Sequence, residues 1–293
     1  MALETTMRRP KMTLLYILLG NRRFILGLII FVVLFVMGTI GPLIYRVNPL
    51  AIGNYPADLP PSLEHPLGTD ALGRDVFAMF LNGIRNSLYV GFITAVIATL
   101  IGLPIGVVSG MRGGTFLDEV LMGLTNIVLS IPSWLVAILV LSMIPSEQRG
   151  VEIVGAILGL FSWPWFARAI RAQFYSFRER DFVYLSRIAG YSDLRVAFED
   201  ILPNMGAFIL SSFTSFIATG IGGEAGLAVI GVGVTKHVSL GMMLYWAQVY
   251  QAYVRGAWWY FIPAGLTIIL LMLSMQLLSL GAEIIFNPRL RET

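Results

Sequence analysis

The chain has 293 residues, of which 57% are hydrophobic and only 13% charged, and its mean hydropathy is +0.78. A water-facing domain carries about 25% charged residues, so the composition excludes a soluble globular protein and points to one surrounded by lipid. The net charge of +3 does not indicate nucleic acid, because the basic residues gather at the ends of apolar runs; the lack of cysteine excludes disulfides, thiolate metal sites and cysteine chemistry.

Six membrane-spanning helices are expected, over 24–45, 87–109, 117–143, 151–170, 205–230 and 258–286. The first run, Phe24–Tyr45, has 22 residues without a charge. That is too long for a signal-peptide core, so it reads as a retained anchor. An external loop, 46–86, follows; it is Pro-rich at first (Pro49, Pro56, Pro60, Pro61, Pro66) and helical in pattern from Val76 through Phe80. In the second span Gly102, Gly106 and Gly110 recur every four residues and share a face that another helix can approach closely, either within the chain or at a subunit contact. The fourth span is the least regular, with Glu152 at its start and Ser162-Trp163-Pro164 near its end.

With the N-terminus in the cytoplasm, the inner segments 1–23, 110–116, 168–204 and 287–293 hold fourteen of the twenty Lys and Arg residues. This bias predicts that both termini are cytoplasmic. The domain plan is then a cytoplasmic segment 1–23, a first span 24–45, an external loop 46–86, a five-helix core 87–286 containing the cytoplasmic loop 168–204, and a cytoplasmic tail 287–293.

Within that inner loop, 181–189 has the apolar spacing of a short helix, and Gly190 supplies the left-handed position that closes one. Ser192 is placed as an N-cap with Asp193 in the first turn, and Leu194, Ala197, Phe198 and Ile201 follow at helical spacing until Pro203. The expectation is two amphipathic helices joined by a bend at 190–192. One use is to lie in the lipid headgroups. However, the segment has no lysine and balances its arginines with Asp181, Asp193, Glu199 and Asp200, so it suits a groove on a cytosolic partner better.

In the fifth span Glu224 is the clearest ionisable residue inside the membrane. It is expected near the outer end, among Gly220, Gly222, Gly223 and Gly226. Two readings stand: Glu224 and Gly223 at the outer mouth of a translocation path, or a structural pair between Glu224 and an arginine. The segment 231–257, rich in Tyr and Trp, is long for a turn and is expected to fold back at the outer face. No G-x-x-x-x-G-K-[ST] phosphate loop is present, since the only lysines are Lys11 and Lys236, so ATP chemistry would belong to another chain. His65 and His237 sit in separate loops and make no metal site by themselves.

The spacing from Asp181 to Asn204, D-F-V-x-x-x-R-x-x-G-x-S-D-L-R followed by I-L-P-N, resembles the cytoplasmic loop of ATP-binding-cassette (ABC) importer permeases. More narrowly, it is similar to that of the second permease subunit of the dipeptide/oligopeptide/nickel class. HPLGTDALGRDVF at 65–77, GGTFLDEVLM at 113–122, Ile131-Pro132, SWPWFARAIRAQ at 162–173, EAGLAVIGVGV at 224–234 and NPRLR at 287–291 fall in the order of that class along nearly the whole chain. The chain departs from it at Tyr184, Leu185 and Ser186, where the family has Glu-Ala-Ala, and at Gly123, Asn126 and Asp200.

The resemblance implies an all-α integral membrane protein with the six-helix core of a type I ABC importer permease, in the inner or plasma membrane of a prokaryote. It implies a transport subunit and not an enzyme, with no catalytic or metal residues. Asp181, Tyr184, Leu185, Arg187, Gly190, Ser192, Asp193, Arg195, Phe198 and Pro203 would dock an ATPase. The implied partners are a homologous second permease, two cytosolic ATP-binding subunits that hold the ATP and magnesium, an extracytoplasmic solute-binding protein and membrane lipid. The cargo would be di- or oligopeptides, nickel, or oligosaccharides such as cellobiose. The alternative is an ion-coupled secondary transporter or channel, which would need charges near mid-span and inverted repeats.

Overall fold

The computed structural model describes residues 21–286, and the expectations for 1–20 and for 287–293, including the NPRLR stretch, lie outside the described residues. Among the described residues the secondary structure is helical, apart from one antiparallel bridge between Thr69 and Asp75. Asn21 starts the first helix, α1 (Arg22–Ile44), by accepting hydrogen bonds from the Arg23 and Phe24 N–H groups at 2.9 and 3.3 Å.

The second helix, α2 (Val76–Met111), is 36 residues long and begins at Val76 rather than at 87. Asp75 caps it by accepting from the Ala78 N–H at 2.8 Å. Asn82, Arg85 and Asn86 lower the hydropathy there without ending the helix, because Val76, Ala78, Met79 and Ile84 are buried in the core. Asn82 donates to the Ala78 carbonyl, and Asn86 donates to the Val238 carbonyl at 2.6 Å.

The third expected span is broken. Helices α3 (Phe116–Ser130) and α4 (Ser133–Ser142) meet at 73°. Pro132 has no N–H to donate, and its ring drives Ile131 out of the helical region, to φ −91° and ψ 125°. The remaining elements are α5 (Val151–Arg178), α6 (Asp181–Ile188), α7 (193–204), α8 (Gly206–Val229), α9 (Leu240–Val249) and α10 (Trp258–Phe286). Helices α1, α2, α5, α8 and α10 are each long and apolar enough to cross a membrane, and the bent pair raises the number to six.

Glycine decides how closely these helices approach. A Cβ at Gly102, Gly106 or Gly110 of α2 would lie within 3 Å of Phe166, Ile170 and Phe174 of α5, respectively. The fit is reciprocal: Gly155 and Gly159 of α5 take Ile93 and Ile97 of α2. The glycine face seen in the sequence therefore packs within the chain. Gly91 of α2 and Gly220 of α8 make a second close crossing, and Gly27 and Gly38 seat α1 between α10 and α2.

The helices alternate direction, so the bundle has two ends. One carries the 46–75 segment and the 231–257 segment; the other carries α6 and α7.

Candidate functional site

The bend of the α6–α7 hairpin is built as the spacing predicts. The Gly190 N–H donates to the Arg187 carbonyl at 3.0 Å, and the Tyr191 N–H reaches back to the Ser186 carbonyl at 3.1 Å. This pair of bonds is the Schellman closure of a helix, and it places Gly190 at φ +84°. Ser192 then caps α7, accepting from the Arg195 N–H at 3.3 Å. Asp181 sits exposed in the first turn of α6.

Helix α7 departs from the single apolar stripe expected of it. It opens normally at Asp193–Arg195, widens to a π-helix over Val196–Ile201 and returns to α over Leu202–Asn204. Pro203 therefore does not stop the run. The Leu202 N–H bonds to the Ala197 carbonyl, five residues back, in a turn widened just ahead of the proline ring. The widening splits the stripe: Val196, Ala197 and Ile201 are buried with Val183 of α6, whereas Leu194 and Phe198 turn outward.

The buried set joins Ile170 and Phe174 of α5 in one apolar cluster, which ties the hairpin to the end of a long helix. The outward set forms a ridge: Tyr184, Leu185, Ile188, Leu194 and Phe198 are each 62–67% exposed. Charges brace the ridge from the side. Arg187 faces Asp193 across the bend at 3.6 Å, and Arg195 pairs with Glu199 at 2.9 Å while its guanidinium lies 3.8 Å from the Tyr191 ring centre. The Glu199 hydrogen bond holds the Arg195 pKa above its ordinary value.

An ion pair on a buried carboxylate, missed by the sequence reading, stands beside the hairpin. Asp118, in the first turn of α3, accepts two hydrogen bonds from Arg171 of α5, both at 2.6 Å. It also takes the Ser109 hydroxyl of α2 and the Gly114 N–H. Asp118 is 2% exposed, so α2, α3 and α5 are locked together where α5 runs on toward the hairpin. An acid inside the GGTFLDEVLM motif was the available signal; its partner 53 residues away was not.

Glu224 departs from the arginine pairing that was one reading of it. It is fully buried, and its Oε1 accepts from the Ser239 hydroxyl at 2.6 Å, the same hydroxyl that caps α9 by accepting from the Met242 N–H at 3.0 Å. Its side-chain partner among the described residues is thus a serine and not an arginine, and it faces α9. The neighbouring Gly223 lines a cavity of about 240 Å³ shared by α4, α5, α8 and α10. Trp134 of α4 borders that cavity and packs on Gly226.

The opposite end of the bundle is a polar cap built from HPLGTDALGRDVF. The Asp70 carboxylate accepts from the Leu72 and Arg74 N–H groups and from the Arg74 guanidinium at 2.7 Å. Arg74 lies 4.1 Å from the Trp246 ring centre and donates to the Tyr260 hydroxyl, which joins the cap to α9 and α10. Asp75 meets His65 Nδ1 and the Tyr45 hydroxyl, both at 2.8 Å. Gly73 has φ +67° and crowds the Tyr55 carbonyl, so the motif spells a turn that a side chain would obstruct. His65 is thus a buried partner of a cap residue, and among the described residues no cluster of metal-ligating side chains forms.

Several apolar spans, a broken third span and a braced hairpin with an exposed apolar ridge at one end define a multi-pass membrane protein. Residues 102–291 match the family model described as "Binding-protein-dependent transport system inner membrane component", and the chain belongs to that family of ABC-transporter permeases. The oligopeptide transport system permease protein OppC of Bacillus subtilis (strain 168) is 33% identical over 93% of this chain and 88% of its own. The dipeptide transport system permease proteins DppC of Bacillus subtilis (strain 168) and of Haemophilus influenzae are each 30% identical, over 92% and 93% of this chain and 83% and 92% of theirs. These are the relatives that the motifs imply.

Proposed function

We propose that this chain is one of two permeases of an ATP-driven importer, and that it carries di- or oligopeptides delivered by an extracytoplasmic binding protein. The observation that supports this most strongly is the α6–α7 ridge. Five large apolar side chains stand exposed on a hairpin whose inner face is fixed in the core. Such a surface needs a cover, and a groove on a cytosolic ATPase provides one.

In this reading the hairpin end faces the cytoplasm, in keeping with the arginine bias, and the 46–75 cap faces the binding protein. ATP and magnesium stay on two partner ATPases. When these close, they displace α6 and α7; Val183, Val196 and Ile201 pass the movement to α5, and the Asp118–Arg171 lock passes it to α3. Helix α4 then moves against the Gly223 cavity on the path between this chain and a homologous second permease. Ser133, Ser162 and Thr219 offer that cavity hydroxyls among apolar walls, a lining suited to a peptide backbone, and an oligosaccharide is the second cargo that such groups would pass.

The family's acidic residue is replaced by Tyr184, so the grip on the ATPase is apolar. Affinity purification of the tagged chain from its native membrane tests the assembly. Recovery of two ATP-binding subunits and a second permease is expected, and ATP-independent uptake by the chain alone would overturn it.

A further inference from the structure

An apolar groove of about 540 Å³ opens sideways between α1 and α2 and reaches Ile217 of α8. Phe31 and Phe35 of α1 and Phe92 of α2 line its length, while Thr39, Arg85 and Tyr89 bring polar groups to it. Arg85 is exposed, and among the described residues no carboxylate lies within ion-pair distance of it. A charge on a spanning helix is costly unless a partner or the membrane surface satisfies it.

The geometry places that charge near one edge of the apolar belt. Gly38 of α1 packs on the Arg85 backbone, and it lies about 9 Å before the end of α1 at Ile44. Helical side chains lean toward their own N-terminus, and the N-terminus of α2 is at that same end. The guanidinium thus reaches outward, whereas Phe31 and Phe92 lie deeper. A cation at the mouth with an apolar channel running inward matches the layout of a phospholipid. The lining agrees: apart from Thr39, Arg85 and Tyr89 it is apolar, which suits an acyl chain held below an anionic headgroup.

We propose that this groove is a binding site for an anionic phospholipid, with the phosphate on Arg85 and the Tyr89 hydroxyl and an acyl chain along Phe35, Phe31 and Phe92. The test is native mass spectrometry of the full chain, purified with the subunits it brings and supplied with phosphatidylglycerol or phosphatidylcholine. Phosphatidylglycerol should be retained preferentially. Arg85→Ala should weaken that retention roughly fivefold, as expected for one cation at an anionic headgroup, while Arg85→Lys keeps most of it and subunit composition is unchanged. A photo-crosslinking residue at position 89, with Arg85 intact, provides a second measurement and should label lipid. Equal retention of the two lipids by the wild type, undiminished retention by Arg85→Ala, or crosslinking of position 89 to the second permease would overturn the site.

Discussion

Gly106 of α2 faces Ile170 of α5 with no room for a side chain: a Cβ at Gly106 would lie 2.6 Å from the Ile170 Cβ and 2.7 Å from the Ala167 carbonyl oxygen. Backbone contact of this kind substitutes for the hydrophobic effect, which does not drive helix association within lipid. Gly106→Leu is therefore expected to destabilise the bundle by about 3 kcal/mol, at the upper end for overpacking. Gly123→Leu, where a Cβ meets nothing within 4 Å, should stay within about 0.5 kcal/mol of the parent. Thermal unfolding of both variants in the same detergent makes the comparison.

Gly190 separates shape from space. Its φ is +84°, yet a Cβ there meets nothing within 4 Å, so a substitution acts on the backbone alone. Gly190→Val should strain the bend by about 1–3 kcal/mol and abolish uptake while the protein still inserts into the membrane. Gly190→Asn, which tolerates the left-handed region, should retain much of the uptake. Uptake assays normalised to the amount of chain in the membrane fraction distinguish these outcomes; equal loss in both variants would mean that the bend is not the cause.

Asp118→Asn leaves the Arg171 guanidinium without its counter-charge beside a buried amide. Breaking a buried pair costs about 3–5 kcal/mol; Arg171 is about one-third exposed, so roughly 2–3 kcal/mol is expected. Stability should recover in part in Asp118→Asn combined with Arg171→Gln, a coupling read from a double-mutant cycle of unfolding free energies.

Much of this architecture is legible in the sequence, and the misses share a cause. Hydropathy locates α1, α5, α8 and α10 because each is a long local run. It misplaces the start of α2, since Arg85 and the two asparagines lower the average and only tertiary burial of Val76, Met79 and Ile84 shows that the helix continues. The bend at 190–192 is readable from Gly190 and Ser192 because a helix closure and an N-cap are local. The π-widening at 196–201 is not readable, and it moves Leu194 and Phe198 away from the face shared by Ala197 and Ile201. Glu224 was visible as a buried acid, but its direction depends on where Ser239 falls, fifteen residues later.

Tyr184 stands where the family carries an acid, and it is exposed beside Leu185. Apolar docking should tolerate salt: association with the ATPase is expected to persist at about 1 M salt, where the Debye length is about 3 Å. Tyr184→Ala should weaken it by about 2 kcal/mol, near thirtyfold, as for an aromatic anchor in an interface. Pull-down across a salt series checks both statements, and dissociation of the parent complex at moderate salt would show an ionic grip instead.

The sequence contains no cysteine, so a single introduced thiol reports one contact. The most direct measurement places cysteine at Leu185 on the hairpin ridge and, separately, at Leu63 in the opposite cap, followed by thiol crosslinking in native membranes. The account predicts an adduct between position 185 and an ATP-hydrolysing subunit, with none from position 63. An ATPase adduct from position 63, or none from position 185 in membranes that sustain uptake, would contradict it.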